Sequence, residues 1–275
     1  MQIIIKPSYL QNIRRLSGDG FFLGLTNQNV FGIATKNNGH AKTQFDILSA
    51  YSDKFSCIEW KTDFQRLIDE SVMHQIDMAR FHHVFVRLEC NNNTFKENGV
   101  LHTDHWGQFI ALLKEKKQSC KKHIVLCCDR HTIFSQSLLH SLLQLKEYLY
   151  PLPLLLEFEH RTWMNPTTLQ ILRSIKQIVV QRDQPHLSGF HFVIPNFNQK
   201  ICYVRLLGRN MENWFSTESS QRYLHDYKLP ELLSIANTIR QLKQECDEVF
   251  VIADNKPATA SLSNIFEFSH LMIRE

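Results

Sequence analysis

From Val30 onward the chain alternates between two kinds of text. Short apolar runs, many rich in β-branched residues, are followed by longer stretches in which apolar side chains recur every three or four positions. The short runs fall at 30–34, 56–60, 83–88, 124–128, 154–158, 177–182, 201–206 and 248–253. Between them lie a helix around 42–51, then Phe64, Leu67, Ile68, Val72, Ile76 and Ala79 at helical spacing, then a face of Trp106, Phe109, Ile110 and Leu113. Leu138, Leu142 and Leu145 mark the next helix, and Pro166 opens another at a favoured first-turn position. Pro230 and Pro257 open the last two. The text at 189–195 reads as an inserted strand or hairpin arm, and 208–227 as a long polar loop. Strands separated by helices pair in parallel through right-handed crossovers, and eight such units predict a (β/α)8 barrel over residues 30–275. Residues 1–29, with a turn signal at 17–20, are expected to form an N-terminal extension over one end. The competing architecture is an open doubly wound sheet. No glycine-rich fingerprint follows the first run, which argues against its dinucleotide-binding form.

The fifth run ends abruptly in Glu157-Phe158-Glu159-His160-Arg161-Thr162-Trp163. A buried strand that delivers polar groups at its C-terminal end places them where barrel enzymes keep their chemistry. Strand parity shows which groups meet, because side chains two apart share a face. Tyr203 and Arg205 share one face of the seventh run, opposite Val204 and Leu206. Glu157 and Glu159 share one face of the fifth, opposite Leu156 and Phe158. Glu59 opposes Ile58 and Trp60, Arg87 opposes Val86 and Leu88, and Asp183 continues the face of Val179 and Gln181. If the aliphatic faces meet the helices, Glu59, Arg87, Glu157, Glu159, Asp183 and Arg205 converge on the barrel axis near its mouth.

Two readings of that convergence stand side by side. In one, the mouth is a site for a small polar or anionic ligand. Crowded carboxylates (Glu59, Glu157, Asp183) then have one pKa pushed upward for acid–base work, His160 is a general base, and Arg205 clamps an anion through its fork of donors. In the other, the same groups form a structural ion-pair network, since an unpaired buried charge is costly. Trp163 and Trp214 serve either as a stacking wall for a ligand or as core at the barrel end. Glu59, Glu157, Glu159, Asp183 and His160 also supply enough oxygen and nitrogen for a divalent metal. Neutralisation by Arg87 and Arg205 is the preferred alternative, and no cofactor is expected.

Composition narrows the function classes. The chain has 275 residues, 43% hydrophobic and 21% charged, and a net charge of +4. That charge is scattered, which does not support nucleic-acid binding. Seven cysteines form no Cys-x-x-Cys pair and several sit inside apolar runs, which suggests a reducing, cytoplasmic setting rather than a disulfide framework. No apolar stretch reaches membrane-spanning length, so no membrane partner is expected; composition leaves the oligomeric state open.

Several strand ends carry a family resemblance. Glu157 to Trp163 resembles the pattern E-F-R-H-x-S-W, and Tyr203-Val204-Arg205-Leu206-Leu207-Gly208-Arg209 resembles Y-V-R-L-H-G-R. Ile58-Glu59-Trp60-Lys61-Thr62-Asp63-Phe64 is similar to V-E-I-N-x-T-F, and Asp254-Asn255 with Ala260 and Asn264 to a late N-N…A…N-A segment. These patterns belong to the domain-of-unknown-function-72 family, the YecE-like proteins. The resemblance implies a TIM-barrel fold and adds Arg209 and Asn255 to the candidate ligand-binding residues, but it implies no settled reaction. The chain departs from the pattern at Glu159, Leu207, Lys61 and Asp254, where the family carries Arg, His, Asn and Asn. Leu207 and Glu159 favour an alternative function, a non-catalytic binding or scaffold protein with an eroded pocket.

Overall fold

The apolar run directly after Gly20 is the first strand. The computed structural model of the protein describes residues 7–37, 43–63, 67–90, 106–115, 120–185 and 200–273. In it, helix α1 (Pro7–Gly18) is followed by a turn in which Gly20 has φ +72°, and then by β1 (Phe21–Leu25), whose five residues are all buried. The run at 30–34, expected to be the first strand, lies inside helix α2 (Asn27–Asn37). A short apolar run does not separate a buried strand from a buried helical turn by periodicity alone. Here the tertiary contacts decide: the Asn29 side chain donates to Ala253 O, Asn255 O and Ser261 Oγ, tying this turn against the end of the last strand. The boundary drawn at residue 29 therefore falls within α2, and β1 is a strand of the sheet.

The remaining elements follow the alternation read from the pattern. They are α3 (Gln44–Ser52), β2 (Cys57–Asp63), α4 (Glu70–Met78), β3 (His83–Cys90), α5 (Trp106–Lys114), β4 (Lys121–Cys128), α6 (Gln136–Leu149) and β5 (Leu154–Phe158). A single 3-10 turn (Arg161–Trp163) leads to α7 (Pro166–Ser174), β6 (Ile178–Val179), β7 (Gln181–Asp183), β8 (Ile201–Leu206), α8 (Ser219–Arg222), α9 (Leu229–Glu245), β9 (Glu248–Ala253) and α10 (Ala258–Ile273). Thr43, Asp69, Ser135 and Asn165 cap their helices by accepting from backbone amides three residues on, which fixes where α3, α4, α6 and α7 begin. The segment expected as a hairpin arm at 189–195 lies outside the described residues. Among the described residues, no helix is long and apolar enough to cross a membrane.

Every strand pair is parallel, in the orders β2-β3-β4-β5-β6 and β1-β9-β8-β7. The two ladders meet at two seams. At one, β6 and β7 are successive parts of a single strand divided at Val180; β6 pairs with β5 and β7 with β8. At the other, β1 lies beside β2 and the bridge Thr26–Glu59 joins them. The strands thus follow one another around a ring in chain order, as in a (β/α)8 barrel.

Parity sorts the interior into layers. Phe22, Cys57, Phe85, Val125, Leu155, Val180, Tyr203, Phe250 and Ile252 form one apolar cluster inside the ring. Their neighbours in sequence, such as Ile58, Val86, Leu126, Leu156, Val204 and Val251, belong to the larger cluster between strands and helices. Two residues beyond the inner cluster stand Glu59, Arg87, Cys127, Glu157, Arg182, Arg205 and Asp254, all towards the C-terminal end. On β1 that position is Gly24, where an added Cβ would come within 2.8 Å of Cys57 O and Sγ. Glycine there lets β1 approach β2 closely.

Candidate functional site at the barrel mouth

The polar layer is one continuous ion-pair network. Arg205, with 0% of its side chain exposed, lies at its centre. Its Nε donates to Glu157 Oε2 at 3.0 Å, one terminal nitrogen to Glu59 Oε1 at 2.6 Å and to Asp254 Oδ2 at 3.5 Å, and the other to Glu59 Oε2. The Tyr203 hydroxyl, one inward step earlier on β8, also donates to Glu59. Glu157 is held by two further guanidinium groups, Arg87 Nε and Arg182 Nε, each at 3.2 Å. Outward, Lys61 Nζ reaches Asp254 at 2.5 Å, Arg87 reaches Glu89 at 2.7 Å, and Glu159 is shared by Arg182 at 3.5 Å and Arg222 at 3.0 Å. Five cations (Lys61, Arg87, Arg182, Arg205, Arg222) interleave with five carboxylates (Glu59, Glu89, Glu157, Glu159, Asp254).

This arrangement sets the protonation states. Burial pushes the Glu157 carboxyl up, but Arg205, Arg87 and Arg182 outweigh burial and hold it well below the usual carboxylate range. Glu159 is also lowered, burial being outweighed by Arg182 and Arg222, and Asp254 by Lys61, Arg205 and Lys256. The expected upward push from crowded carboxylates is therefore reversed at Glu157 and Glu159, because a guanidinium stands between each acid and the next. At neutral pH these groups are ionised acceptors, unlike a carboxylic acid tuned to give up a proton.

The network is the floor of a cavity of about 520 Å³ at the C-terminal mouth. Its walls come from strand ends and the loops after them. Lys61, Arg87 and Glu89 rise from β2 and β3, Cys127 and Arg130 from the end of β4, Glu159 from just beyond β5, and Arg222 and Tyr223 from α8 and the residue after it. Arg130 has no ion-pair partner among the described residues, whereas Asp129 beside it accepts from Thr132 and from the His131 amide and so shapes the turn.

The sequence candidates divide into those the mouth brings together and those it does not. Glu59, Arg87, Glu157, Glu159 and Arg205 meet as parity predicted. Asp183 does not join them. Strand six breaks at Val180, so Val180 faces inward, Val179 faces the helices, and the inward residue that follows is Arg182. Asp183 turns to the other side, where it accepts from the Tyr227 hydroxyl at 2.7 Å and pairs with Arg209 through both oxygens at 2.9 and 2.6 Å. Arg209 is thereby placed behind the mouth. His160 caps the 3-10 turn, with Nδ1 2.8 Å from Thr162 Oγ1, and is bonded to neither Glu59 nor Glu157. Trp163 is core: it stacks on Phe158 at 4.1 Å and donates to Thr132 O at 2.8 Å. Trp214 is buried beside Leu207 and Tyr223 with Arg222 over its ring at 5.0 Å, so it supports the cavity wall from behind. Asn255 donates to His225 O and to Asn264 Oδ1, fastening the loop after β9. The oxygen and nitrogen set offered for a metal does not converge, with Asp183 and His160 both turned elsewhere. Among the described residues, no three His, Cys, Asp or Glu side chains are placed to hold an ion.

Four members of the mouth escaped the sequence reading. Arg182 was one residue out of phase because of the break at Val180. Arg222 and Tyr223 lie in the polar loop after β8, where no periodicity exists to place them. Cys127 was visible only as a strand cysteine.

Comparison with known proteins gives a consistent picture. The family model described as "Protein of unknown function DUF72" matches residues 37–275. The curated UPF0759 protein YunF of Bacillus subtilis is 26% identical over 130 residues, a match that covers 43% of this chain and only 46% of that protein. Among solved structures, a DUF72 family protein from Thermotoga maritima superposes with a TM-score of 0.71 at 20% identity, covering 92% of this chain and 98% of its own. One from Enterococcus faecalis superposes with a TM-score of 0.70 at 16% identity, covering 93% and 98%. At these identities the likeness is one of fold.

Proposed function

The chain belongs to the DUF72 family, and on that premise we propose that it binds a small polar, anionic compound at the C-terminal mouth of its barrel. The observation that carries this reading is the cavity of about 520 Å³ directly above the buried ion-pair network. That is room for a compound the size of a sugar phosphate, in the place where barrels of this kind bind ligands. The network is close to electroneutral, so the ligand is held by unfilled donors rather than by net charge. Arg130 and the outer faces of Arg87 and Arg222 supply them, with Lys61 beside them. Arg205, Glu59 and Glu157 act beneath as a rigid floor that fixes Arg87 and Arg182. Binding without acid–base turnover is favoured over hydrolysis or isomerisation, because Glu157 and Glu159 are ionised and arginine-clamped and His160 faces away.

The test is thermal denaturation and calorimetry with inorganic phosphate, ribose 5-phosphate, citrate and uncharged ribose. A ligand at about one hundred times its Kd stabilises the folded state by about 2.7 kcal/mol, which is several degrees in Tm. The anions should produce that shift in the wild type and a smaller one in Arg130→Gln. A panel in which no anion raises Tm at 10-millimolar order of concentration would overturn the reading.

A further inference from the structure

Tyr223 is the buried polar side chain of the mouth whose function the fold leaves open. It follows α8, has 6% of its surface exposed, and lines the cavity. Its ring packs against Trp214, with centroids 6.0 Å apart, and lies under the Arg222 guanidinium at 5.3 Å. Its hydroxyl makes no hydrogen bond with any described residue. The other buried tyrosines differ: Tyr51 Oη accepts from Leu25 N and donates to Cys57 O, Tyr203 donates to Glu59, and Tyr227 donates to Asp183. A buried hydroxyl is ordinarily satisfied, and one that is left open towards a cavity marks where a ligand or water supplies the partner.

The surroundings define that partner. Glu159, Arg182, Arg222 and Asp254 are the charged groups within electrostatic reach of the phenol, and burial together with Glu159 pushes its pKa well above the ordinary tyrosine value. It therefore stays protonated. Its hydrogen is available because Glu159 is already occupied by Arg182 and Arg222 and Asp254 by Lys61 and Arg205. Arg130 comes from the loop after β4, a different part of the chain from α8 and the residue after it, which supply Arg222 and Tyr223. A planar carboxylate is satisfied by a single arginine fork. Several donors from different elements suit a group whose oxygens point in several directions.

We propose that Tyr223 is a specificity-determining residue of the mouth, donating through its hydroxyl to a tetrahedral oxyanion, a phosphate or sulfate ester, that is also held by Arg130 and Arg222. This rests on the anionic-ligand reading above and narrows its ligand class.

The experiment uses the full chain, with ribose 5-phosphate, inorganic phosphate and uncharged ribose titrated by calorimetry into wild type and Tyr223→Phe. Phenylalanine keeps the ring packing and removes only the hydroxyl, so the ligand-free Tm should stay within about 2 °C of the wild type. The Kd for ribose 5-phosphate should rise about tenfold, the effect of one hydrogen bond to a charged acceptor. Ribose should bind at least tenfold more weakly than ribose 5-phosphate in the wild type. If wild type binds ribose 5-phosphate and Tyr223→Phe binds it equally well, the inference falls while the anion site stands. A ligand-free Tm loss well beyond 2 °C would make the hydroxyl structural and overturn it too. Equal binding of ribose and ribose 5-phosphate would remove the oxyanion, and a wild type that binds none of the three would remove both readings together.

Discussion

Replacing Arg205 by methionine tests the central claim that the floor of the mouth is a single interlocked charge network. The substitution keeps the length of the side chain and removes its guanidinium. The carboxylates around it then fare differently. Glu157 retains Arg87 and Arg182, each at 3.2 Å, and Asp254 retains Lys61 at 2.5 Å. Glu59 retains only the Tyr203 hydroxyl among the bonds described. The cost therefore concentrates on Glu59, a fully buried carboxylate left without a hydrogen-bonded cation. Breaking a buried pair on one side costs about 3–5 kcal/mol. For a chain of this size 1 kcal/mol moves Tm by roughly 2–4 °C, so calorimetry or circular dichroism should show a drop of about 6–20 °C. The decisive companion is Glu59→Gln combined with Arg205→Met. Removing the orphaned charge while keeping an acceptor for Tyr203 should recover at least half of the loss, because the penalty comes from an uncompensated charge rather than from lost packing. Arg205→Lys should fall between, since one ammonium cannot reach Glu59, Glu157 and Asp254 together. If Arg205→Met melts within about 2 °C of wild type, or the double variant is no better than the single one, the network does not hold the floor as described.

The other predictions concern acid stability and the loop after β8. At the opposite end of the barrel, His83 Nδ1 lies 3.1 Å from His123 Nε2 among Phe22, Phe85 and Phe250. Burial, with Lys121 and His82 and against the pull of Glu248, lowers His83 to about 4, and burial, with His83 and Lys121, lowers His123 to about 3. The unfolded chain takes up these protons first, so stability should fall as pH drops from about 6.5 towards about 4, and urea unfolding of His123→Phe should show a shallower slope over that window. An unchanged slope would refute the assignment. Glu157, Glu159 and Asp254 are lowered in the folded state, so their contribution is present above the unfolded carboxylate range of about 4 and is lost as pH falls further; their loss should appear as a second, more acidic phase. Gly208 has φ +97°, and an added Cβ would lie 2.6 Å from the Cβ of His225. Gly208→Ala should therefore lower Tm by several degrees, on the order of 2 kcal/mol, and a neutral result would mean that this loop is free to shift.

Much of this architecture was already written in the order of residues. The runs at 201–206 and 248–253 became β8 and β9 with the same bounds, and Pro166 opens α7, because a buried parallel strand must be apolar on both faces and a helix start leaves its own cap signature. Period two also placed Glu59, Arg87, Glu157 and Arg205 together, since a regular strand carries its inward face forward without slipping. Tertiary structure decided the rest wherever that regularity fails. At Val180 the sixth strand changes partners, which exchanges Arg182 for Asp183 at the axis. Between Phe21 and Ala34 two apolar runs compete, and pairing of Phe21–Leu25 with Val249–Ala253 selects the first as the strand. Arg222 meets Glu159 across 63 positions of sequence, and Tyr223 reaches the cavity from a loop with no period to read. Local pattern fixes which way a side chain points within an element, whereas the proximity of two loops depends on how the whole ring closes.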